Sequence, residues 1–320
     1  MNKSKPGKLL VVGSYNRDLV SITKKLPKPG ETVLGKRFFT THGGKGANQA
    51  VAAAKLGLDT TLLTKIGTDS FGNEALSYFK ECGINTDFVL IDKKVDTGTA
   101  QIIVDESAEN TIVVSPGANF SLSPEDIIQN EEIFSDVDAV LIQFEIPIDT
   151  VKEVIKAAKK YNKIVIVNPA PAIPLEEEWL KKIDYLTPNK SELATLTNTD
   201  ELKTLEEITM STRELLKKGV KNIIVTLGGE GGLYLNNNNV YHLPAFSVKS
   251  VDTSGAGDCF NGAFAHHLLN NNSILKSLKY ASAAASLSVM KHGTSNSYPN
   301  IEKLESFMAD NDIEISHLCK

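Results

Sequence analysis

The chain has 320 residues, 41% of them hydrophobic and 23% charged, with a formal net charge of -5. That balance describes an ordinary globular protein without the basic surplus that binds nucleic acid or an anionic membrane surface. Cys82, Cys259 and Cys319 show neither CxxC spacing nor an even framework, which points to free thiols in a reducing compartment and to no structural zinc site.

Residues 1–8 are polar, and the apolar run after them covers only Leu9 to Val12, too short for a signal-peptide core. No run reaches membrane-spanning length, so the expected location is cytoplasmic. One large α/β domain with a small appendage fits residues 1–320. Residues 8–13 read as a short buried strand leading into Ser14-Tyr15-Asn16-Arg17-Asp18, and open α/β sheets keep ligands at such strand ends. Asn16 offers a donor and acceptors while an ionised Asp18 only accepts, so together they can grip vicinal hydroxyls; a turn or capping role is the alternative. Pro29-Gly30 marks a turn, and residues 32–41 have the β-branched and aromatic content of a strand. In His42-Gly43-Gly44-Lys45-Gly46-Ala47-Asn48-Gln49-Ala50 the glycines let backbone approach a ligand, and the alanine-rich helix that follows can pack closely. This motif is neither Gly-x-x-x-x-Gly-Lys-[Ser/Thr] nor Gly-x-Gly-x-x-Gly, which leaves Lys45 and Asn48 as candidates for hydroxyl contacts. Residues 60–65 read as a strand, 71–81 as a helix, and 98–104 with 110–114 as a hairpin that can join 32–41 in a small separate sheet.

From residue 137 onward strands at 139–142, 163–167, 185–187 and 222–227 alternate with helices at 149–161, 175–181 and 202–218. This predicts a parallel sheet covered by helices on both faces. Glu145, Asn168, Asn189 with Glu192, and Thr226-Leu227-Gly228-Gly229-Glu230-Gly231 lie at strand ends, where each is a ligand candidate or a cap. The asparagine run 236–239 reads as a turn between strands 231–235 and 240–243. Next, Val251-Asp252-Thr253-Ser254-Gly255-Ala256-Gly257-Asp258 opens an apolar helix. A Gly-Ala loop at a helix start leaves N–H groups aimed at one point, an anion hole, with Asp258 in the first turn beside it. Taken alone, the same residues also suit a tight turn and a stabilised helix start. A helix over 273–290 ends at Lys291-His292-Gly293, where His292 reads as a partner of the helix dipole.

Eight motifs carry a resemblance: Gly13-Ser14-x-Asn16-x-Asp18, Pro29-Gly30-Glu31-Thr32, Gly43-Gly44-Lys45-Gly46-Ala47-Asn48-Gln49-Ala50, Thr97-Gly98-x-Ala100, Asn168-Pro169-Ala170-Pro171-Ala172, Pro188-Asn189-x-x-Glu192, Thr226-Leu227-Gly228 and Asp252-Thr253-x-Gly255-Ala256-Gly257-Asp258. Over residues 8–300 the chain resembles the PfkB carbohydrate kinases, and within them the ribokinase branch. The resemblance implies a Rossmann-like parallel central sheet with helices on both faces and a small β-sheet lid near 31–42 and 97–115. It further implies ATP-dependent phosphorylation of D-ribose at O5 to ribose 5-phosphate and ADP. The alternatives are a kinase for another small sugar or nucleoside, or a non-catalytic sugar-binding protein on the same fold. By the same resemblance, Asp258 takes the hydroxyl proton and Gly255, Ala256 and Gly257 line the anion hole. Asn16, Asp18, Gly44, Lys45, Asn48 and Glu145 hold the sugar. Asn189, Thr226, Leu227, Gly228, Gly229, Glu230, Gly231 and Gly257 meet the nucleotide, with Glu192 near Mg²⁺. A potassium ion falls to Asp252, Ser254, Ser288, Lys291, Gly293 and Ser297, and the lid strands form a homodimer contact. Two residues depart from the pattern: Ser282 stands where many members have a His beside adenine, and Cys259 where Thr or Ser commonly follows the catalytic Asp. A thiol in a first helical turn favours a lowered pKa, and burial opposes it.

Overall fold

The computed structural model describes residues 7–107 and 109–318; residues 1–6 and Cys319 lie outside them. Short runs of Val, Ile and Leu form a ten-stranded sheet ordered Ser316–His317, Val240–Leu243, Gly232–Asn236, Asn222–Thr226, Tyr185–Leu186, Ile164–Val167, Ala139–Ile142, Lys8–Val12, Asp59–Ile66 and Val89–Ile91. The strands from Asn222–Thr226 to Val89–Ile91 run parallel, and the remainder pair antiparallel at one edge. Strand Lys8–Val12 pairs with Asp59–Ile66 on one side and Ala139–Ile142 on the other, so the order of the chain reverses beside it. Such a reversal opens a crevice at the C-terminal ends of the strands.

Because alternate strand residues point to opposite faces, Leu10 and Val12 join one core layer and Leu9 and Val11 the other. The second layer holds helices Lys45–Lys55 and Ala256–Leu269, whose facing surfaces are mostly small residues. A Cβ on Gly262 would stand 2.5 Å from Ala52 Cβ and 2.6 Å from Gln49 O, so a residue without one is required for the two helices to approach this closely. That approach brings the first turns of both helices to one point. Among the described residues no helix is long and apolar enough to cross a membrane.

A four-stranded second sheet, ordered Gly35–Gly43, Asn16–Thr23, Thr99–Val104, Asn110–Ser115, stands over the crevice. The expected hairpin is present, but the central strand Asn16–Thr23 was not anticipated. Its opening Asn-Arg-Asp has low strand propensity, and pairing on both sides, antiparallel with Gly35–Gly43 and parallel with Thr99–Val104, overrides that. Asn110–Ser115 is an edge strand exposed along its whole length, including Ile112, Val113 and Val114.

Other elements also differ from expectation. Helix 175–181 shrinks to the turn Glu177–Leu180, which has no side-chain N-cap. Helix 202–218 begins at Leu205 because Thr204 and Glu207 form a capping box. Helices Pro124–Gln129, Lys190–Thr197 and Ile301–Asp310 and the short strand Val89–Ile91 are elements to which the sequence reading assigns no structure.

Candidate active site

Asn16 and Asp18 lie two residues apart on one strand, so their side chains share one face of the second sheet, and both are buried. Asn119 fixes the first of them. Its Oδ1 accepts the Tyr15 N–H, and its Nδ2 donates to Tyr15 O and to Asn16 Oδ1, all at 2.9 Å. The oxygen of Asn16 is thereby engaged and its NH₂ remains to donate. Asn119, inside a Gly-Ala-Asn turn with no motif to mark it, was missed by sequence reasoning. Asp18 accepts no hydrogen bond from a described residue, and burial first, then the charge of Glu145, pushes its carboxyl up to about 7 against the pull of Arg17.

Gly44 caps helix Lys45–Lys55 with φ 86°, and its Cα lies so close to Tyr15 and Asn16 that a Cβ would stand 2.7 Å from their backbone. Glu145, in the crevice after strand Ala139–Ile142, accepts from Ser14 Oγ at 2.5 Å and from the Lys45 N–H at 3.0 Å. Ser14 is a second positioning group that sequence reasoning left out. The Lys45 ammonium stands among Asp258, Glu145 and Glu192, and Asp258 foremost raises its pKa.

At the start of helix Ala256–Leu269, Gly255 adopts the left-handed conformation, φ 71°, and its carbonyl accepts from the buried Tyr298 hydroxyl at 2.9 Å. The N–H groups of Gly257 and Asp258 have no acceptor among the described residues, and a Cβ on Gly257 would meet nothing within 4 Å. The loop is therefore open toward the crevice with its donors unengaged, as an anion hole requires. Asp258 itself is buried, its Oδ2 accepting from Asn48 Nδ2 at 3.0 Å and its Oδ1 from Gln49 Nε2 at 2.9 Å. Burial raises its pKa, with Lys45, Gln49 and Asn48 opposing. The close helix pair thus joins the two Gly-rich motifs, more than two hundred positions apart in sequence, through direct hydrogen bonds.

The residues expected to meet a nucleotide fall in two kinds of surroundings. Asn189 and Glu192 form a reciprocal capping box on helix Lys190–Thr197: Asn189 Oδ1 accepts the Glu192 N–H and Glu192 Oε2 accepts the Asn189 N–H, both at 2.8 Å. Burial raises the Glu192 carboxyl against that N–H and against Lys45. Thr226 bridges to Asn189, and Leu227 is buried in the core. Gly228 and Gly229 sit in an open turn, Glu230 pairs with Lys190 at 3.2 Å, and a Cβ on Gly231 would lie 2.0 Å from Leu243 O. Gly231 is glycine for packing reasons. Ser282 is half-buried on helix Ile274–Ser288.

Asp252 draws two loops together, its Oδ1 accepting the Ser254 N–H and its Oδ2 the Gly293 N–H, each at 2.9 Å. Burial opposes ionisation there, yet the Gly293 and Ser254 bonds leave the carboxyl below its usual range. Ser288 and Ser297 are buried, their hydroxyls donating to Ala285 O at 2.7 Å and Thr294 O at 2.8 Å. Two expectations change. The helix ends at Ser288, so Lys291 and His292 lie beyond its last turn, and the charge of His292 acts on Asp252. Cys259 has no lowered pKa: it is buried with its Sγ donating to Ala284 O at 3.4 Å, and burial pushes the thiol up.

Comparison with known proteins places this geometry. The profile of the pfkB family of carbohydrate kinases matches residues 7–301. A deoxyribokinase of Salmonella typhimurium is 39% identical over 305 residues, covering 95% of this chain and 99% of that protein. A ribokinase of Bacillus subtilis is 40% identical over 301 residues, covering 94% and 99%. The structure of Arabidopsis thaliana ribokinase complexed with ribose and ATP superposes with a TM-score of 0.89 at 34% identity, over 95% of this chain and 99% of that one. With the family profile matched over almost the whole length and relatives of 39–40% identity covered end to end, the chain belongs to the PfkB family of carbohydrate kinases.

Proposed function

We propose that the protein transfers the γ-phosphoryl group of ATP to O5 of D-ribose, giving D-ribose 5-phosphate and ADP. The observation that carries this reading is the meeting of the open helix start at Gly257 and Asp258 with a lid face whose Asn16 donor and Asp18 acceptor have no partner for those roles among the described residues. A buried donor beside a buried acceptor suits vicinal hydroxyls, each of which both donates and accepts. Lys45, Asn48, Gly44 and Glu145 complete the sugar pocket, and Gly255, Ala256 and Gly257 receive the migrating phosphoryl charge. Asp258 accepts the O5 proton as the O–P bond forms, and ADP departs with the electrons of the broken bond. Phosphoryl transfer rests mainly on positioning and charge stabilisation, so a weak base is sufficient. Phosphorus NMR of the product tests the reading: the phosphate is expected on O5, and phosphate on O1 would refute it. A second reading, phosphorylation of 2-deoxyribose, is favoured by the equally similar Salmonella relative. The nucleotide is placed along Asn189, Thr226, Leu227, Gly228, Gly229 and Glu230, with Gly231 holding that turn in shape.

For Mg²⁺, one oxygen of Glu192 is engaged by Asn189 and no described residue bonds the other. Glu192 is the carboxylate that would hold a Mg²⁺ ion shared with the nucleotide phosphates. When bound, it neutralises charge on the β- and γ-phosphates.

The set Asp252, Ser254, Ser288, Lys291, Gly293 and Ser297 fits potassium. A carboxylate and backbone carbonyls are hard oxygen donors, and the Lys291 side chain is a cation, so only its carbonyl can serve. Asp252 to Gly293 on one side and Tyr298 to Gly255 on the other tie this region to the anion hole. The expected result is a rate that rises in potassium over a bulky organic cation at equal ionic strength and no longer rises in Asp252→Ala. Equal rates in both salts would contradict the assignment.

The homodimer contact is placed on the exposed edge strand Asn110–Ser115, whose apolar Ile112, Val113 and Val114 face solvent in the single chain. Sedimentation equilibrium checks it: a monomeric wild-type protein would rule the contact out.

A further inference from the structure

Behind Asp258 lies a chain of buried amides that the reaction above leaves without a role. Gln49 Nε2 donates to Asp258 Oδ1 and to Asn168 Oδ1, both at 2.9 Å, and Gln49 Oε1 accepts from Gln143 Nε2 at 2.6 Å. Gln49 and Gln143 are completely buried. At the far end Asn168 Nδ2 donates to Thr187 O at 3.0 Å, which turns the Asn168 oxygen toward Gln49.

A side-chain amide has one accepting end and one donating end, so each orientation dictates its neighbour's. Reversed, Gln49 would set its oxygen against both Asp258 and Asn168 and its NH₂ against the NH₂ of Gln143. Gln143 holds that orientation at a cost. Its own Oε1 has no hydrogen-bond partner among the described residues, and a buried acceptor left unpaired is unfavourable. Turning Gln143 over would bring two amide oxygens together. The chain therefore has a direction, Gln143 to Gln49 to Asp258.

Resting on the reading of Asp258 as the base, we infer that Gln49 and Gln143 are positioning residues that keep the Asp258 carboxylate ionised and oriented, Gln49 directly and Gln143 through Gln49. With Asn48 on Oδ2 and Gln49 on Oδ1, each carboxylate oxygen still has a lone pair for the sugar proton. Other groups facing Asp258 set the background. Lys45 favours the ion, Glu145, Glu192 and Asp18 disfavour it, and Cys259 and Tyr298 lie beside it as neutral groups. Loss of a donor to the ionised form raises a carboxyl's pKa, so without Gln49 the base would be protonated over more of the acid range.

The test is to titrate Asp258 directly, by carboxyl-carbon NMR of aspartate-labelled protein with Asp258→Asn identifying the signal, and to measure steady-state rates with D-ribose and MgATP. For Gln49→Met the expected result is a titration about one pH unit higher, kcat lower by about tenfold and both KM values within about twofold of wild type. Gln143→Met shifts the same quantities in the same direction, with kcat lower by about threefold and melting temperature only modestly lower, since it removes the unpaired Gln143 Oε1 while leaving Gln49 Oε1 without its donor. Should Gln49→Met not fold, Gln143→Met, which does not touch Asp258, carries the test. An unshifted Asp258 titration in a folded variant overturns the proposal, whatever the rate does. A near wild-type kcat in Asp258→Asn would instead remove Asp258 as the base while the titration still reports on the amide chain.

Discussion

Asp258→Asn lowers kcat by about 10²-fold or more with little change in either KM, because general-base assistance is worth roughly 10²–10⁴-fold and the amide cannot accept the O5 proton. The side chains are nearly equal in size, but the new NH₂ meets the NH₂ donor of either Asn48 or Gln49, so one of those two bonds is lost and the fold is checked alongside the rate. The anion hole of Gly255 to Gly257 survives the substitution, which is why residual activity is expected. Circular dichroism shows whether the variant is folded, and single-turnover kinetics separates the chemical step from product release. A folded variant with near wild-type single-turnover rate would take the base role from Asp258.

Asp18→Ala weakens D-ribose binding by about 5- to 150-fold and leaves binding of a non-hydrolysable ATP analogue within about twofold, the range expected when one partner of a buried polar contact is lost. Asn16→Ala acts in the same direction, and it also leaves Asn119 Nδ2 without one of its two acceptors. A pH effect accompanies the first prediction. Burial and the charge of Glu145 hold the Asp18 carboxyl at about 7 in the free protein, and sugar hydroxyls donate more strongly to its ionised form, which accepts on both oxygens. Ribose affinity should therefore fall as pH drops from about 8 to about 6, with proton release on binding near neutrality. Asp18→Ala flattens that dependence. Calorimetry in buffers of different ionisation enthalpy reads affinity and proton release together; equal losses of sugar and nucleotide affinity would show that the lid strand does not serve the sugar.

Much of this architecture is legible in the sequence because two kinds of signal are local. Apolar runs between helical segments marked the parallel strands, and Ala139–Ile142 agrees to the residue. The Gly-Ala-Gly opening of an apolar helix marked a helix start whose Gly257 and Asp258 N–H groups have no acceptor among the described residues. The strand Asn16–Thr23 was not legible, since Asn16 and Asp18 interrupt an apolar pattern and its pairing is set by partners on either side. Asn119, Ser14, Gln49 and Gln143 escaped for a related reason. Their importance lies in which neighbour each amide or hydroxyl meets, and those neighbours are 32 to 209 positions away in sequence. Asn189 and Glu192 show the reverse case, a pair read for its ligand whose visible bonds are those of a helix cap. The thiol of Cys259 was decided by burial, which composition does not report.

The central claim is that this lid and anion hole select and phosphorylate a pentose, and the direct measurement is ADP release over D-ribose, 2-deoxy-D-ribose, D-fructose and adenosine at saturating MgATP and fixed potassium. The predicted result is the highest kcat/KM for D-ribose, with 2-deoxyribose lower by about tenfold because a buried polar group loses the hydroxyl that satisfied it. Preference for fructose or adenosine, or ADP release no faster than the sugar-free background with all four, would contradict it.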